Sequence, residues 1–310
     1  MDDVVDVVRG LQQPEYWEKT LAANAADNLA AIPLDRDGHD RATWAALERL
    51  LETDKDKLQA NGKDRSNSVT YEKLRMARAW RLENPMLWEE YLAGRGRVKR
   101  DMQVLRKAGV KAAGGDPPAT ARIAASLPGT LNADVNEAIL LHGTNAAVLP
   151  SIMVQGMNER FAGSSAGAAY GEGSYLAEDA GKNDQYVTVD AHYDRSSDLH
   201  KRLYNNRCRH PNDVFYIVVC RVALGHHVRT TETGVYATSC DTGEQVYASG
   251  AGGSIIYREL AKVPGLSTAS PVHHHSLLVD VIRVHMRYRE FVVFHSDLIY
   301  PEYVIAYKRE

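Results

Sequence analysis

The sequence predicts an α+β fold with mostly antiparallel sheets. Three observations lead there. Apolar residues at helical spacing dominate residues 1–70, and strand-like segments outnumber helical ones from residue 74 onward. In addition, neither an internal repeat nor a run of regular βα units is present, which removes a doubly wound parallel sheet.

The elements follow in chain order. Trp17, Leu21, Ala25 and Leu29 recur every fourth residue, close enough to the helical period to share one face. A second helix starts after Asp40, expected as its N-cap, with Trp44, Leu47, Leu50 and Leu51 on its apolar side. Residues 52–67 are polar apart from Leu58 and read as a helix end followed by a linker. The period then changes. Leu74, Met76, Trp80 and Leu82 fall on one parity and Arg75, Ala77, Ala79 and Arg81 on the other, the pattern of a half-buried strand that Arg78 interrupts. Asn84-Pro85 opens a helix with Trp88, Tyr91 and Leu92 on its apolar face. Its extension carries Arg95, Arg97, Lys99, Arg100, Arg106, Lys107 and Lys111, read as a solvated basic face rather than a binding patch.

After the break at Gly114-Gly115-Asp116-Pro117-Pro118, the run Ala138–Leu141 reads as a buried strand that ends at His142-Gly143-Thr144. Residues 156–174 form a Gly/Ala/Ser-rich loop, and Lys182–Tyr193 is expected as a helix. Strands are expected over Val214–Leu224, Leu277–Val284, Glu290–Phe294 and Tyr303–Tyr307, with a short strand pair within 225–276.

Composition narrows the function. Of 310 residues, 37 are Lys or Arg and 40 Asp or Glu, a net charge of −3 that leaves no basic footprint for unspecific nucleic-acid binding. No apolar run approaches a membrane span, and the acidic start Met1-Asp2-Asp3 is unlike a secretory signal. Three cysteines, Cys208, Cys220 and Cys240, cannot all pair, which suits a reducing compartment. An intracellular protein of nucleus or cytoplasm is expected.

Phosphate-loop, HExxH, paired CxxC and GxSxG motifs are all missing. Cys208, His210 and Cys220 match no standard zinc spacing and lack a fourth ligand. Adjacent residues on a strand point to opposite faces, so His273-His274-His275 suits a loop or strand end better than a metal site. No metal is expected.

One constellation remains. His142 ends a buried strand beside Gly143, where a ligand can approach the backbone. Tyr175 follows the Gly-rich loop, Tyr186 follows Lys182-Asn183, and Glu290 opens a very apolar strand. Taken singly, each has a structural explanation. Their order makes the pattern specific. Leu141-His142-Gly143-Thr144, Gly173–Glu178 and Arg289–Phe294 resemble the three signature segments of PARP-type (diphtheria-toxin-like) ADP-ribosyltransferases, in the family's order and at roughly its spacing. Tyr300–Tyr307 and Gly156–Arg160 look tankyrase-like, and Cys220–Gly225, His274–Ser276 and Arg81–Trp88 are similar to other family segments. The resemblance spans residues 72–310.

The resemblance implies the ADP-ribosyltransferase fold: two packed, mostly antiparallel sheets with flanking helices over residues 71–310, preceded by a small helical extension over 1–70 of unknown role. It implies cleavage of the nicotinamide–ribose bond of NAD⁺ and transfer of ADP-ribose to protein acceptors, this chain included, with no metal. His142 would bind the adenine-side ribose, and Gly143 the nicotinamide amide through its backbone. Tyr175 and Tyr186 would sandwich the nicotinamide ring. Glu290 would hold the ribose 2′-hydroxyl and support the cationic transition state, with His142, Tyr175 and Glu290 as the catalytic set. Thr144 stands where members often carry Ser, and Lys182 and Asn183 line the cofactor helix, Asn183 in place of the family's usual Ser. Leu176 replaces a usual Phe.

Glu290 is the carboxylate that chain elongation requires in this family, so both single-unit and polymer transfer stay open. Residues 1–70 look too short and too poor in apolar heptads for the regulatory helical domain of DNA-dependent relatives, and direct DNA binding is not expected. A silent NAD⁺- or ADP-ribose-binding scaffold and an NAD⁺ glycohydrolase are the competing readings. The intact triad argues against the first, and product analysis separates the second.

Overall fold

The computed structural model describes residues 13–18, 29–59, 69–158, 169–204, 208–266, 271–280 and 288–310. In chain order these form β1 (Ala30–Pro33), α1 (Arg41–Leu50), α2 (Lys55–Gln59), β2 (Leu74–Glu83), α3 (Pro85–Lys107) and α4 (Ala121–Ala124). Then come β3 (Glu137–Gly143), α5 (Leu149–Gln155), β4 (Ser174–Ala177), α6 (Ala180–Asn183), α7 (Asp198–Leu203), β5 (Phe215–Ala223) and β6 (His227–Thr230). The chain closes with β7 (Tyr247–Ser249), β8 (Ile255–Leu260), β9 (Ser276–Val279), β10 (Glu290–Val293) and β11 (Ile299–Arg309).

Nine strands are hydrogen-bonded in the order β1-β2-β11-β5-β3-β4-β10-β9-β6, and β7 and β8 form a separate antiparallel pair. Within the large sheet, β6 and β9 run parallel and the other pairs antiparallel. The two expected sheets are the two halves of this ladder. They join at β3–β4 through the single pair Leu141↔Ala177. The halves share one core. Val218, Cys220 and Val222 of β5 lie in the same buried cluster as Leu176, Leu278, Phe291 and Val293 of the other half. The opposite face of β3 and β5, with Ile139, Leu141, Ile217 and Val219, is covered by Trp44, Leu47, Leu50 and Leu51 around α1. That burial is what the spacing in α1 encodes.

Several expectations change in detail. Among the described N-terminal residues, Ala30–Pro33 is not helical but an edge strand paired with β2. Leu21 and Ala25 lie outside the described residues, as do Glu159, Arg160 and residues 60–68 and 281–287. Asp40 precedes α1 without a side-chain cap bond; its carboxylate instead accepts the Asp35 N–H at 3.0 Å and faces Arg81 at 3.8 Å. Asn84 does cap α3, accepting the Leu87 N–H at 3.2 Å ahead of Pro85.

The four apolar residues of one parity in β2 do not share a face. Leu74 and Met76 join the α1-side core, whereas Trp80 and Leu82 join the other. The register between β2 and β11 slips between Ala306 and Tyr307, opposite Arg78 and Met76, leaving Ala77 as an extra residue. One extra residue reverses every later side chain, because the strand period is two. Arg78 therefore marks a bulge. The basic face of α3 is largely paired with its own protein: Arg95 with Glu137, Arg97 with Asp297, and Lys99 and Arg106 with Asp134.

The helix expected over Lys182–Tyr193 is short, ending at Asn183. Asp184, fully buried, accepts Tyr71, Tyr307 (2.7 Å) and Arg309 (2.9 Å), which pins the chain and stops the helix. Among the described residues, no helix is long and apolar enough to cross a membrane.

Candidate active site

The site sits where the two half-sheets meet. Ala177 pairs with Leu141 on one side and with Glu290 on the other, so the ends of β3, β4 and β10 arrive together. Tyr175 pairs with Val292 two residues along. The joint between β3 and β4 is the single pair Leu141↔Ala177, and His142 and Gly143 follow Leu141 on β3 toward Tyr175.

The half-buried ring of His142 places Nδ1 2.8 Å from the Tyr175 carbonyl oxygen. A carbonyl only accepts, so Nδ1 carries the proton and Nε2 is left as an acceptor. Burial lowers the His142 pKa below the ordinary histidine value, which keeps the ring neutral. The Tyr175 hydroxyl accepts the Tyr170 N–H at 2.8 Å and donates to the Gly171 carbonyl at 2.9 Å. These bonds tie the end of the Gly-rich loop to β4. Burial raises the phenol's pKa, so the ring stays a neutral, partly exposed surface.

Glu290 is buried and its Oε1 lies 3.1 Å from Lys182 Nζ, itself buried. Lys182 also lies over the half-exposed ring of Tyr186, 5.3 Å from its centroid. Burial opposes the ammonium charge, but Glu290 and Tyr186 outweigh it and raise the Lys182 pKa. The pair thus brings Glu290, Lys182 and Tyr186 into one group, next to Tyr175.

Gly143 is required by contact. A Cβ there would overlap the backbone carbonyl of Asn183, so β3 and α6 touch main chain to main chain. The Asn183 side chain turns into its own helix, its Nδ2 donating to the Asp179 carbonyl at 3.0 Å. Thr144 follows at the partly exposed rim.

Sequence reasoning gave no role to the clamp behind Glu290. Arg289 binds Glu178 through two bonds of 2.7 and 2.6 Å and donates to the carbonyls of Asp116 and Pro117. Glu178 also accepts the Ala119 N–H at 2.6 Å. Arg289 and Glu178 flank the Glu290↔Ala177 pair, so a bidentate ion pair locks the register that presents the site. Both residues stood in the signature segments; only their opposition across the ladder reveals the bond.

Among the described residues, a group of side chains that could offer atoms to a metal lies elsewhere. Asp190, His200 and His210 converge, with His200 Nε2 and His210 Nε2 at 2.7 and 3.1 Å from Asp190 Oδ2 and the Tyr216 hydroxyl at 2.6 Å. His200 Nδ1 accepts the Asp194 N–H at 2.8 Å and His210 Nδ1 the Asn212 N–H at 3.1 Å. Each Nε2 therefore carries the proton that it gives to Asp190, and a cation would have to displace both. Cys208 and Cys220 are buried and burial pushes both thiols up, away from the thiolate form a metal takes. His274 turns to His226, with 3.3 Å between their Nδ1 atoms.

The family model described as the poly(ADP-ribose) polymerase catalytic domain matches residues 56–309. No curated protein matches the chain.

Proposed function

Since the chain belongs to the poly(ADP-ribose) polymerase catalytic-domain family, whose substrate is NAD⁺, we propose that it is an active NAD⁺-dependent protein ADP-ribosyltransferase that modifies protein acceptors, itself among them. The observation that carries the reading is the double pairing of Ala177, which gathers His142, Tyr175 and Glu290 at one joint of the sheet.

In this reading, breaking the glycosidic bond leaves positive charge on the nicotinamide ribose, and a group that stabilises that charge lowers the barrier. Glu290 is the anion assigned to that task. It also accepts the hydrogen bond of the ribose 2′-hydroxyl, and its Lys182 partner holds it in a dry position. His142, with Nε2 free to accept, binds the hydroxyl of the adenine-side ribose. Gly143 offers its backbone to the nicotinamide amide, and Tyr175 and Tyr186 offer ring faces. Thr144, Lys182 and Asn183 complete the NAD⁺ contacts. The acceptor's nucleophile bonds to the anomeric carbon as nicotinamide leaves, and the acceptor's proton passes to solvent or to Glu290.

The test is incubation of the purified chain with labelled NAD⁺, followed by denaturing electrophoresis and analysis of free products. Label on protein, absent in Glu290→Gln, is the expected result. A high-mass ladder extends the reading to polymer synthesis, and one sharp band limits it to a single unit. Free ADP-ribose without protein label overturns transfer in favour of hydrolysis; NAD⁺ binding without turnover overturns it in favour of a scaffold.

A further inference from the structure

We propose that Thr53, which lies upstream of the family-matched residues, is a positioning residue for the NAD⁺ site, acting through Asp179 on the helix that carries Lys182 and Asn183. The inference rests on the function proposed above and adds to it a working part outside the matched segment.

Helix α6 has four residues, far too few to hold itself in water, so its position is set by what grips its ends. The C-terminal grip comes from Tyr71, Tyr307 and Arg309 on Asp184, all within the matched segment. The N-terminal grip is Asp179, extended at φ −119°, whose Oδ1 accepts the Gly181 N–H at 2.8 Å. The same oxygen accepts the Thr53 hydroxyl at 2.7 Å. Thr53 is also pressed against the first turn: a Cβ on Gly181 would stand 2.7 Å from its Oγ1.

Apolar contact follows the same path. Ala180, the first residue of α6, belongs to the buried cluster of Leu47, Leu50 and Leu51. That contact does not fill the seam. A cavity of about 160 Å³ runs beside it, lined among others by Arg49, Lys57, Glu178, Asp179 and Arg289. With the seam incompletely packed, the Thr53 bond fixes the rotamer of Asp179 and hence the aim of the cap. Burial raises the Asp179 pKa, and the Thr53 and Gly181 hydrogen bonds oppose that rise. Removing the hydroxyl takes one of the donors from a half-buried carboxylate. The displacement is passed to Asn183, whose Nδ2 holds the Asp179 carbonyl, and to Lys182 beside it.

The experiment uses the full chain and three variants, Thr53→Val, Thr53→Ala and Thr53→Ser. It reads NAD⁺ KM and kcat together with amide hydrogen exchange at Gly181. The expected result is a KM raised about five- to tenfold in Val or Ala, the size of one lost hydrogen bond, with kcat changed less than about twofold. Gly181 exchanges faster in both, and Ser restores the wild-type values. Wild-type KM and wild-type Gly181 protection in whichever of Val or Ala folds overturn the proposal, as does a loss that Ser does not restore. The exchange readout does not depend on turnover. A chain that consumes no NAD⁺ overturns the proposed function, while Gly181 exchange still decides whether Thr53 holds the cap.

Discussion

Lys182 Nζ and Glu290 Oε1 are 3.1 Å apart, with both side chains less than one-tenth exposed. Two buried charges are costly to desolvate, and each makes the other tolerable. The pair joins β10 to α6, so the carboxylate that opens β10 is held by the helix that borders the proposed nicotinamide site.

Replacing Lys182 by Met leaves Glu290 buried without its cation. We expect a loss of about 3–5 kcal/mol, the usual cost of breaking a buried pair, read from the urea midpoint. The wild-type pair also has a defined pH window. The Lys182 pKa is raised on folding above its ordinary value of 10.5. Its contribution is therefore fully present below that value and lost as pH rises through the folded-state pKa. Lys182→Met, lacking the pair, should show a flatter stability curve at alkaline pH.

Glu290→Gln keeps the shape of the side chain and removes the charge. Labelled transfer should fall about a hundred- to a thousandfold, the scale of one lost electrostatic contact to a transition state, with the NAD⁺ Kd within a few-fold. His142→Ala should instead weaken NAD⁺ binding about tenfold, as loss of one hydrogen-bonding group does. Calorimetric titration separates the two, and undiminished transfer by Glu290→Gln would refute its role.

Gly143→Ala drives a methyl into the Asn183 carbonyl, which is main chain and cannot rotate away. We expect about 1–3 kcal/mol of destabilisation from overpacking and a raised NAD⁺ KM, because α6 must move. Thermal midpoint and KM measured on one preparation check both.

Acid should weaken the fold through its buried and half-buried histidines. Burial lowers the pKa of His142, His226 and His227, and burial together with His226 pushes His274 to about 3. Between the folded and ordinary values the unfolded chain binds more protons, so stability falls as pH drops below about 6.5. For His274 alone the loss between pH 7 and pH 5 is about 2 kcal/mol. The denaturation midpoint of the wild type should fall more over that interval than that of His274→Gln.

The strand ends that carry His142 and Glu290 were legible because each lies in a short local pattern, an apolar run next to a polar residue, whereas Tyr175 was read only as following a Gly-rich loop and its place on β4 was not. Helix α1 and the opening of α3 were legible for the same reason, since periodicity and a cap residue are properties of neighbours in the chain. The length of α6 was not. Its end is imposed by Asp184, which is held by Tyr71, Tyr307 and Arg309 from distant strands and loops.

By itself, then, the sequence determined the α+β class, the positions of most strands and the residue types of the candidate site. Tertiary structure alone decided the bulge that turns Trp80 away from the face of Met76, the joining of both half-sheets at Ala177, and the Lys182–Glu290 and Thr53–Asp179 contacts. The reason is physical. Hydrophobic alternation records which side of its own strand a residue occupies, but register, ion pairing and helix ends depend on which distant segment lies opposite.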